Sequence, residues 1–283
     1  FIQSIDREGV FYWGLVALVL VPLILVFLPE SIRYLEKKGN IDKAIDLLKK
    51  NGLIPSDKEI KIKPEETRKV SWRELFKHEY LVRTLLLMTL WFILVYTYYG
   101  IFIWLPKILA DRYNLIGGLF WSIIITIAQI PGYYSAAYLL DRLGRKKVLE
   151  IYLTLAAVGS IIVGASDYLE IGIVSLLGYE IGTILFIGFL IVSFFNLGAW
   201  SGLYTYTPEL YPTEYRGTGA GIAAATGRIA GILAPMITEV LSLGGVQLMT
   251  AYIAFFILHL IGAVSVKLVG IETKGLTLEE ISK

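Results

Sequence analysis

One arginine constrains this chain more than any other residue. Arg228 lies inside the apolar run Gly221-Ile-Ala-Ala-Ala-Thr-Gly-Arg228-Ile-Ala-Gly-Ile-Leu-Ala-Pro235, which reads as the middle of a helix. A guanidinium at that depth is costly to leave in lipid, so the helix must turn it towards protein or a water-filled cavity. Gly217, Gly221, Ala224, Gly231 and Pro235 stand three or four residues apart and share a stripe with it. Ile222, Ile229, Leu233, Met236 and Val240 fall on another stripe. The helix therefore has a small-residue face carrying one fixed positive charge, which is what holding an anion at mid-membrane requires.

The rest of the chain supports a membrane setting. Of 283 residues 56% are hydrophobic, and the mean hydropathy is +0.66. Soluble domains seldom pass about half apolar. Apolar runs long enough to cross hydrocarbon, about 20 residues, recur along the sequence. The expected fold class is an all-α membrane protein with seven transmembrane helices. They run roughly over 10–28, 85–105, 117–140, 148–165, 183–206, 218–240 and 246–266. The stretch from Ile171 to Tyr206 is long for one span and short for two, so Ile171–Gly178 is expected as an interfacial or tilted lead-in beside Glu180. No cysteine is present, which excludes disulfides, thiolate metal sites and cysteine nucleophiles. His78 and His259 have no zinc-ligand spacing, and no metal or cofactor is expected. The chain opens on Phe1, which reads as a piece of a longer polypeptide.

Charge placement gives the orientation. Residues 29–80 hold thirteen of the 26 basic residues, and Asp141-Arg-Leu-Gly-Arg-Lys-Lys147 holds four more. The alternate loops hold few, with only Lys107 and Arg112 in residues 106–116. Basic loops stay in the cytoplasm. The N-terminus is therefore expected outside and the C-terminus in the cytoplasm. Within 29–80, residues 31–50 read as a helix interrupted near Gly39-Asn40, with Ile41, Ala44, Ile45 and Leu48 on one face and Gly52 closing it. Ser71-Trp-Arg-Glu74 has the capping-box spacing. No phosphate loop or nucleotide-binding glycine pattern occurs.

Several spans offer polar or aromatic groups besides Arg228. In Trp91–Pro106 the residues Phe92, Tyr96 and Tyr99 share a face suited to a planar solute, and Trp104 fits an interfacial belt. Thr126, Gln129 and Tyr133 share a face of the third span. Ser193, Asn196 and Trp200 share one in the fifth, with Tyr204 a turn further. The expected substrate-binding residues are Arg228, Tyr96, Tyr99, Gln129, Asn196 and Trp200. His259, alone in the last span, is expected to be a packing residue.

Four motifs resemble the major facilitator superfamily, specifically the sugar porters and the metabolite:proton symporters. They are Pro29-Glu-Ser-Ile-Arg-Tyr-Leu35, Asp141-Arg-Leu-Gly-Arg-Lys146, Pro208-Glu-Leu-Tyr-Pro-Thr-Glu-Tyr-Arg-Gly217 and Glu272-Thr-Lys-Gly-Leu-Thr-Leu-Glu-Glu280, in that order. The resemblance implies that residues 1–28 are the sixth span of a full carrier. Residues 29–80 would then be cytoplasmic interhalf helices and linker, 81–269 the C-terminal six-helix bundle and 270–283 a cytoplasmic tail. The first five spans would be missing. It also implies a cytoplasmic gating network of Glu30, Arg33, Asp141, Arg142, Arg145, Glu209, Arg216 and Glu272. Such a network biases the balance between outward- and inward-open states.

The glycine-arginine-aliphatic-small-glycine pattern around Arg228 is similar to that of niacin-type and aromatic-acid carriers. Sugar porters instead carry a glutamine-rich signature in the seventh span, where this chain has Val95-Tyr-Thr-Tyr-Tyr-Gly100. A hexose hydroxyl left unpaired on burial costs about 1–3 kcal/mol, so the aromatic substitution favours an organic anion over a sugar. The expected function is secondary active transport of such a solute by alternating access, and the resemblance implies coupling to a proton. The expected partners are the lipid bilayer, the solute, a proton and the missing N-terminal half, with no nucleic acid, and the expected location is the plasma membrane. A sugar carrier and a non-transporting sensor of the same fold are the alternatives. An enzyme would need clustered nucleophile, base or metal ligands at depth, and a channel a ring of repeated polar groups. The sequence offers neither.

Overall fold

The computed structural model describes residues 15, 18, 20–30, 32, 35, 39–55, 71–77, 80–169, 171–242 and 248–276. The chain divides between Lys69 and Val70 into two compact units.

In the first unit residues 20–27 are helical, and their apolar side chains are exposed, as in a helix that meets hydrocarbon. Helix α1 (Ile41–Lys50) restarts after Gly39-Asn40 as expected and buries Ala44. It ends where the sequence places Gly52. That residue takes φ 67°, and the Gly52 and Leu53 amides donate to the Lys49 and Leu48 carbonyls, both at 3.0 Å. This is a Schellman closure, which satisfies helix-end carbonyls and needs a left-handed residue.

The second unit is helical apart from one hairpin. A 3-10 turn (Trp72–Phe76) comes first, and the expected capping box does not form there: the Ser71 side chain makes no capping bond. Glu74 instead accepts the Tyr215 hydroxyl at 2.5 Å. Leu75 is buried, and its carbonyl accepts the Thr84 hydroxyl at 3.0 Å, which seats the turn on the helices that follow.

Those helices are α2 (Leu81–Phe102), α3 (Leu105–Ile127), α4 (Gln129–Leu143), α5 (Arg145–Ala165), α6 (Thr183–Glu209), α7 (Thr213–Ser242) and α8 (Leu248–Val269). Among the described residues, five helical stretches are long and apolar enough to cross a membrane. The first, Leu81–Leu143, has 63 residues. As one rod it would measure about 95 Å, roughly three times the hydrocarbon thickness. It is not one rod. Within α3 the backbone leaves helical geometry at Tyr113 and at Asn114, which takes φ 63°. Asparagine tolerates that conformation, and its Oδ1 accepts the Gly117 amide at 3.0 Å. Gly118 then lies against the backbone of Leu109 and Ala110, so the chain folds back at this point.

Packing is pairwise. Helix α5 lies along α6 and α8, α2 lies along α7, and α4 lies along α6. Buried leucine, valine and aromatic side chains from all of them form one core.

The lead-in to the fifth span, expected as interfacial or tilted, takes a form the sequence reading did not specify. Residues 171–182 form an antiparallel hairpin, β1 (Ile173–Leu176) and β2 (Tyr179–Gly182). Its β-branched residues favour strands. Its two-residue turn has Leu177 at φ 53° and Gly178 at φ 82°, the positive φ pair of a tight hairpin. Glu180 sits in β2, and α6 begins at Thr183, where the sequence placed the span.

Candidate functional site

Helix α7 meets α2 through its smallest residues. A Cβ on Gly227 would stand 2.9 Å from Val95, and one on Gly231 would stand 3.0 Å from Tyr99. Ala223, Ala230 and Ala234 are buried on the same side. The tight face is therefore centred on Gly227, and Gly217 and Gly221 look onto open space. The expected small-residue stripe exists but is rotated by about one residue. Its bulky counterpart is exposed, with Ile229, Ile232, Met236 and Val240 among the most accessible side chains.

Arg228 sits at the edge of that contact and is exposed. It lines a cavity of about 230 Å³. The walls come from three other helices: Trp91, Tyr98 and Tyr99 of α2, Tyr133 of α4, and Trp200 and Tyr204 of α6. The rings support one another. Trp91 meets Trp200 and Tyr204 edge-on, at 5.6 Å and 5.4 Å between centroids. The Trp91 indole N–H donates to Thr207 Oγ1 at 3.0 Å, which fixes its orientation. Arg228 makes no hydrogen bond or ion pair among the described residues. A guanidinium has five donors and stays charged, so the cavity offers an unsatisfied cation between aromatic faces.

The expected binding residues divide. Arg228, Tyr99 and Trp200 converge on this cavity. Tyr96 does not line it. It is buried, stacks on Phe92 at 5.9 Å and packs against Phe255. Its face of α2 meets other helices, whereas Tyr98, two residues on and nearly opposite, meets the cavity. Gln129 lines a second cavity of about 500 Å³ that shares Leu197 with the first. There the Ser122 and Thr126 hydroxyls donate back to their own helix, both at 2.7 Å, and the buried Gln129 Nε2 has no partner among the described residues.

Asn196 lines neither cavity. Its Nδ2 donates to Thr97 Oγ1 and to His259 Nε2, both at 2.9 Å. The other ring nitrogen of His259 lies 2.8 Å from the Phe255 carbonyl and therefore carries the proton. Asn196 thus ties α6 to α2 and α8, and His259 is the packing residue expected. Trp91, Tyr98 and Tyr204 belong to the site without having been singled out as binding residues. The sequence signal for Trp91 and Tyr98 is the density of aromatics in their span, and that for Tyr204 is its place one turn beyond Trp200 on the same face.

A second cluster stands where α5 begins. Arg145 pairs with Glu209 of α6 through both Nε and Nη2, at 3.0 Å each. Glu209 also accepts the Thr273 hydroxyl at 2.6 Å. Glu272 accepts the backbone amides of Arg145 and Lys146 at 2.9 Å and 3.2 Å. A carboxylate there satisfies free amides and meets the positive end of the helix. Gly144 makes room for it: the residue takes φ 92°, and any Cβ would collide with the Glu272 carboxylate. The Tyr206 hydroxyl clamps Ile271 on both its carbonyl and its amide.

Of the expected gating residues, Asp141, Arg145, Glu209 and Glu272 therefore come together. Asp141 is the outlying member, 3.6 Å from Arg145 and 84% exposed. The Arg142 side chain lies over the Tyr138 ring. Arg216 reaches back to the Pro208 carbonyl at 2.9 Å. Glu30 belongs to the first compact unit, and Arg33 lies outside the described residues.

Long apolar helices around a cavity with a cationic side chain and aromatic walls are the arrangement a membrane carrier of a small solute needs. Residues 8–283 match the family described as sugar (and other) transporter. The chain is 37% identical over 268 residues to the niacin transporter NiaP of Acinetobacter baylyi, across 93% of this chain and 58% of that protein. It is 36% identical over 208 residues to the putative niacin/nicotinamide transporter NiaP of Bacillus subtilis, across 73% of this chain and 49% of that protein. The solved structure of the proton:xylose symporter XylE bound to 6-bromo-6-deoxy-D-glucose shares the fold. It has a TM-score of 0.70 at 18% identity and covers 99% of this chain and 61% of that one. The chain belongs to the sugar (and other) transporter family, whose members are carriers and not enzymes. It spans about half to three-fifths of the length of these relatives.

Proposed function

We propose that this chain is the C-terminal, substrate-reading half of a secondary carrier for a small aromatic carboxylate. The unpaired Arg228 guanidinium at an aromatic-walled cavity carries the reading. The carboxylate takes the guanidinium in a two-point, charge-assisted contact. The ring lies among Tyr98, Tyr99, Trp91 and Trp200, which suit a flat π-face. Gln129, a buried amide with a free donor, supplies a polar contact from the neighbouring cavity. Niacin is a pyridine carboxylate, so the name of the Acinetobacter baylyi relative agrees with this chemistry, while that of the Bacillus subtilis relative also includes the neutral amide.

Counting the fold-back in α3 as separating two spans, and residues 20–27 as part of another, the chain crosses the plasma membrane seven times. Its basic loops, and with them the Arg145 cluster, face the cytoplasm. The cavity opens alternately to each side as this bundle rocks against an N-terminal one. The Arg145–Glu209–Glu272 cluster holds the cytoplasmic side closed in one of the two states, and transport is coupled to a proton.

Counterflow of labelled nicotinate or benzoate in proteoliposomes of the complete protein tests the reading. The expected result is exchange of aromatic carboxylates, suppressed by Arg228→Ala. Exchange of hexoses in preference to carboxylates would overturn it, as would binding without exchange.

A further inference from the structure

The hairpin between α5 and α6 has a composition that water would not select. Six apolar side chains in its ten-residue neighbourhood are exposed: Tyr168, Leu169, Ile171, Ile173, Leu176 and Leu177. Leu177 is the extreme case. It occupies a positive-φ turn position, where asparagine, aspartate or glycine is preferred, and it is 81% exposed. A branched apolar residue there is unfavourable both for the backbone and for an aqueous tip.

The position of the hairpin removes the contradiction. β2 runs directly into α6, with Gly182 followed at once by the first helical residue, Thr183. Tyr179, beside the turn, stacks on Phe120 at 4.8 Å. A Cβ on Gly117 would touch the same tyrosine ring. Phe120 and Gly117 are in the apolar helical stretch that follows the fold-back at Asn114. The Trp121 indole N–H donates to the Glu180 carbonyl at 3.1 Å, and the Tyr113 hydroxyl accepts the Gly182 amide at 3.0 Å. These bonds pin the hairpin alongside the first turns of that helix. The strand that leaves the turn is therefore held against the start of an apolar helical stretch long enough to cross a membrane.

We infer that the 171–182 hairpin is an interfacial anchor, with Leu177 and Ile173 dipping into the lipid at the boundary between headgroups and acyl chains. The occupant is the bilayer itself. The helix start against which Tyr179 packs also exposes apolar side chains, Leu115 and Ile116. Amphipathic elements at this boundary bury their apolar side 5–10 Å deep, a depth compatible with a two-stranded element lying along the helix ends.

The chain has no cysteine, so a label introduced into it is unique once any cysteine elsewhere in the complete protein is replaced by serine. The test uses the complete protein in proteoliposomes, with a bimane fluorophore on Leu177→Cys, on Ile173→Cys and, as an aqueous reference, on Asp111→Cys. The expected result is a blue-shifted label at 177 and 173, quenched at least threefold more by brominated lipid than the label at 111, and protected from iodide. Iodide quenching equal to that at 111 would place the tip in water and overturn the inference. Resistance to both quenchers would place it under protein, which also overturns it. Leu177→Asn, a better turn former, guards against a folding artefact. It should keep the melting temperature in detergent but lower the brominated-lipid quenching of a label at Ile173→Cys; unchanged quenching counts against the anchor.

Discussion

Arg228 and Arg145 carry the same group in opposite circumstances. Arg145 is saturated: two nitrogens on Glu209, a third on the Leu140 carbonyl, and Asp141 nearby. Arg228 has no partner among the described residues and faces a cavity. A saturated arginine holds helices in place, and exchanging its partners changes an arrangement of helices. An unsaturated one among aromatic rings is a standing demand for an anion. The two regions should therefore respond oppositely to substitution, the first in stability and conformation and the second in ligand affinity.

The largest effect is expected at the cavity. Arg228→Ala should lower transport of an aromatic carboxylate roughly tenfold to a hundredfold, the worth of hydrogen bonds to a charged group. The melting temperature without substrate should stay the same, because no internal bond is lost. Flux assays paired with thermal unfolding check both halves of the statement. Arg228→Lys should recover only part of the activity, since an ammonium keeps the charge and loses the planar fork.

Glu209→Gln is next and should show the reverse pattern. The pair is partly exposed, with 18% and 23% of the two side chains accessible, so its loss should cost about 1–2 kcal/mol, less than a fully buried pair. Unfolding in detergent reads that cost. Substrate affinity measured in one trapped conformer should not move. Trp200→Ala removes one wall of the cavity and should weaken binding of a ring-bearing ligand by about 1 kcal/mol beyond the lost area. It should leave affinity for a non-aromatic carboxylate nearly unchanged. The smallest effect is expected at Asp141. The residue is 84% exposed and 3.6 Å from Arg145, and surface pairs of that kind contribute about 0–1 kcal/mol. Asp141→Asn should therefore leave the melting temperature within about 2 °C.

The same contrast explains what the sequence reveals. Periodicity finds the spans because hydrocarbon thickness fixes their length, and it puts Arg228, Tyr99 and Trp200 on usable faces. It cannot say which face of an aromatic-rich helix meets a neighbour. Tyr96 and Tyr98 are equivalent in composition, and only the packing of α2 against α7 and α8 sends one to the core and the other to the cavity. Asn196 and His259 each read as an isolated polar group, and their bond joins residues 63 apart in sequence. Glu272 enters the sequence reading as one member of an implied charge network. It satisfies backbone amides at the start of α5, a role that leaves no mark in side-chain charge. The hairpin escapes notice because its strands are four residues each and its turn breaks the usual residue preference with Leu177.

The central claim is that Arg228 reads a carboxylate. Calorimetric titration of the complete protein and of Arg228→Ala with nicotinate and with its neutral amide tests this most directly. The four affinities form a cycle that isolates the contact between arginine and carboxylate. The account predicts that the parent protein binds the acid at least tenfold more tightly than the amide, and that the preference disappears in the variant. Equal binding of acid and amide by the parent, or an undiminished preference for the acid in Arg228→Ala, would contradict it.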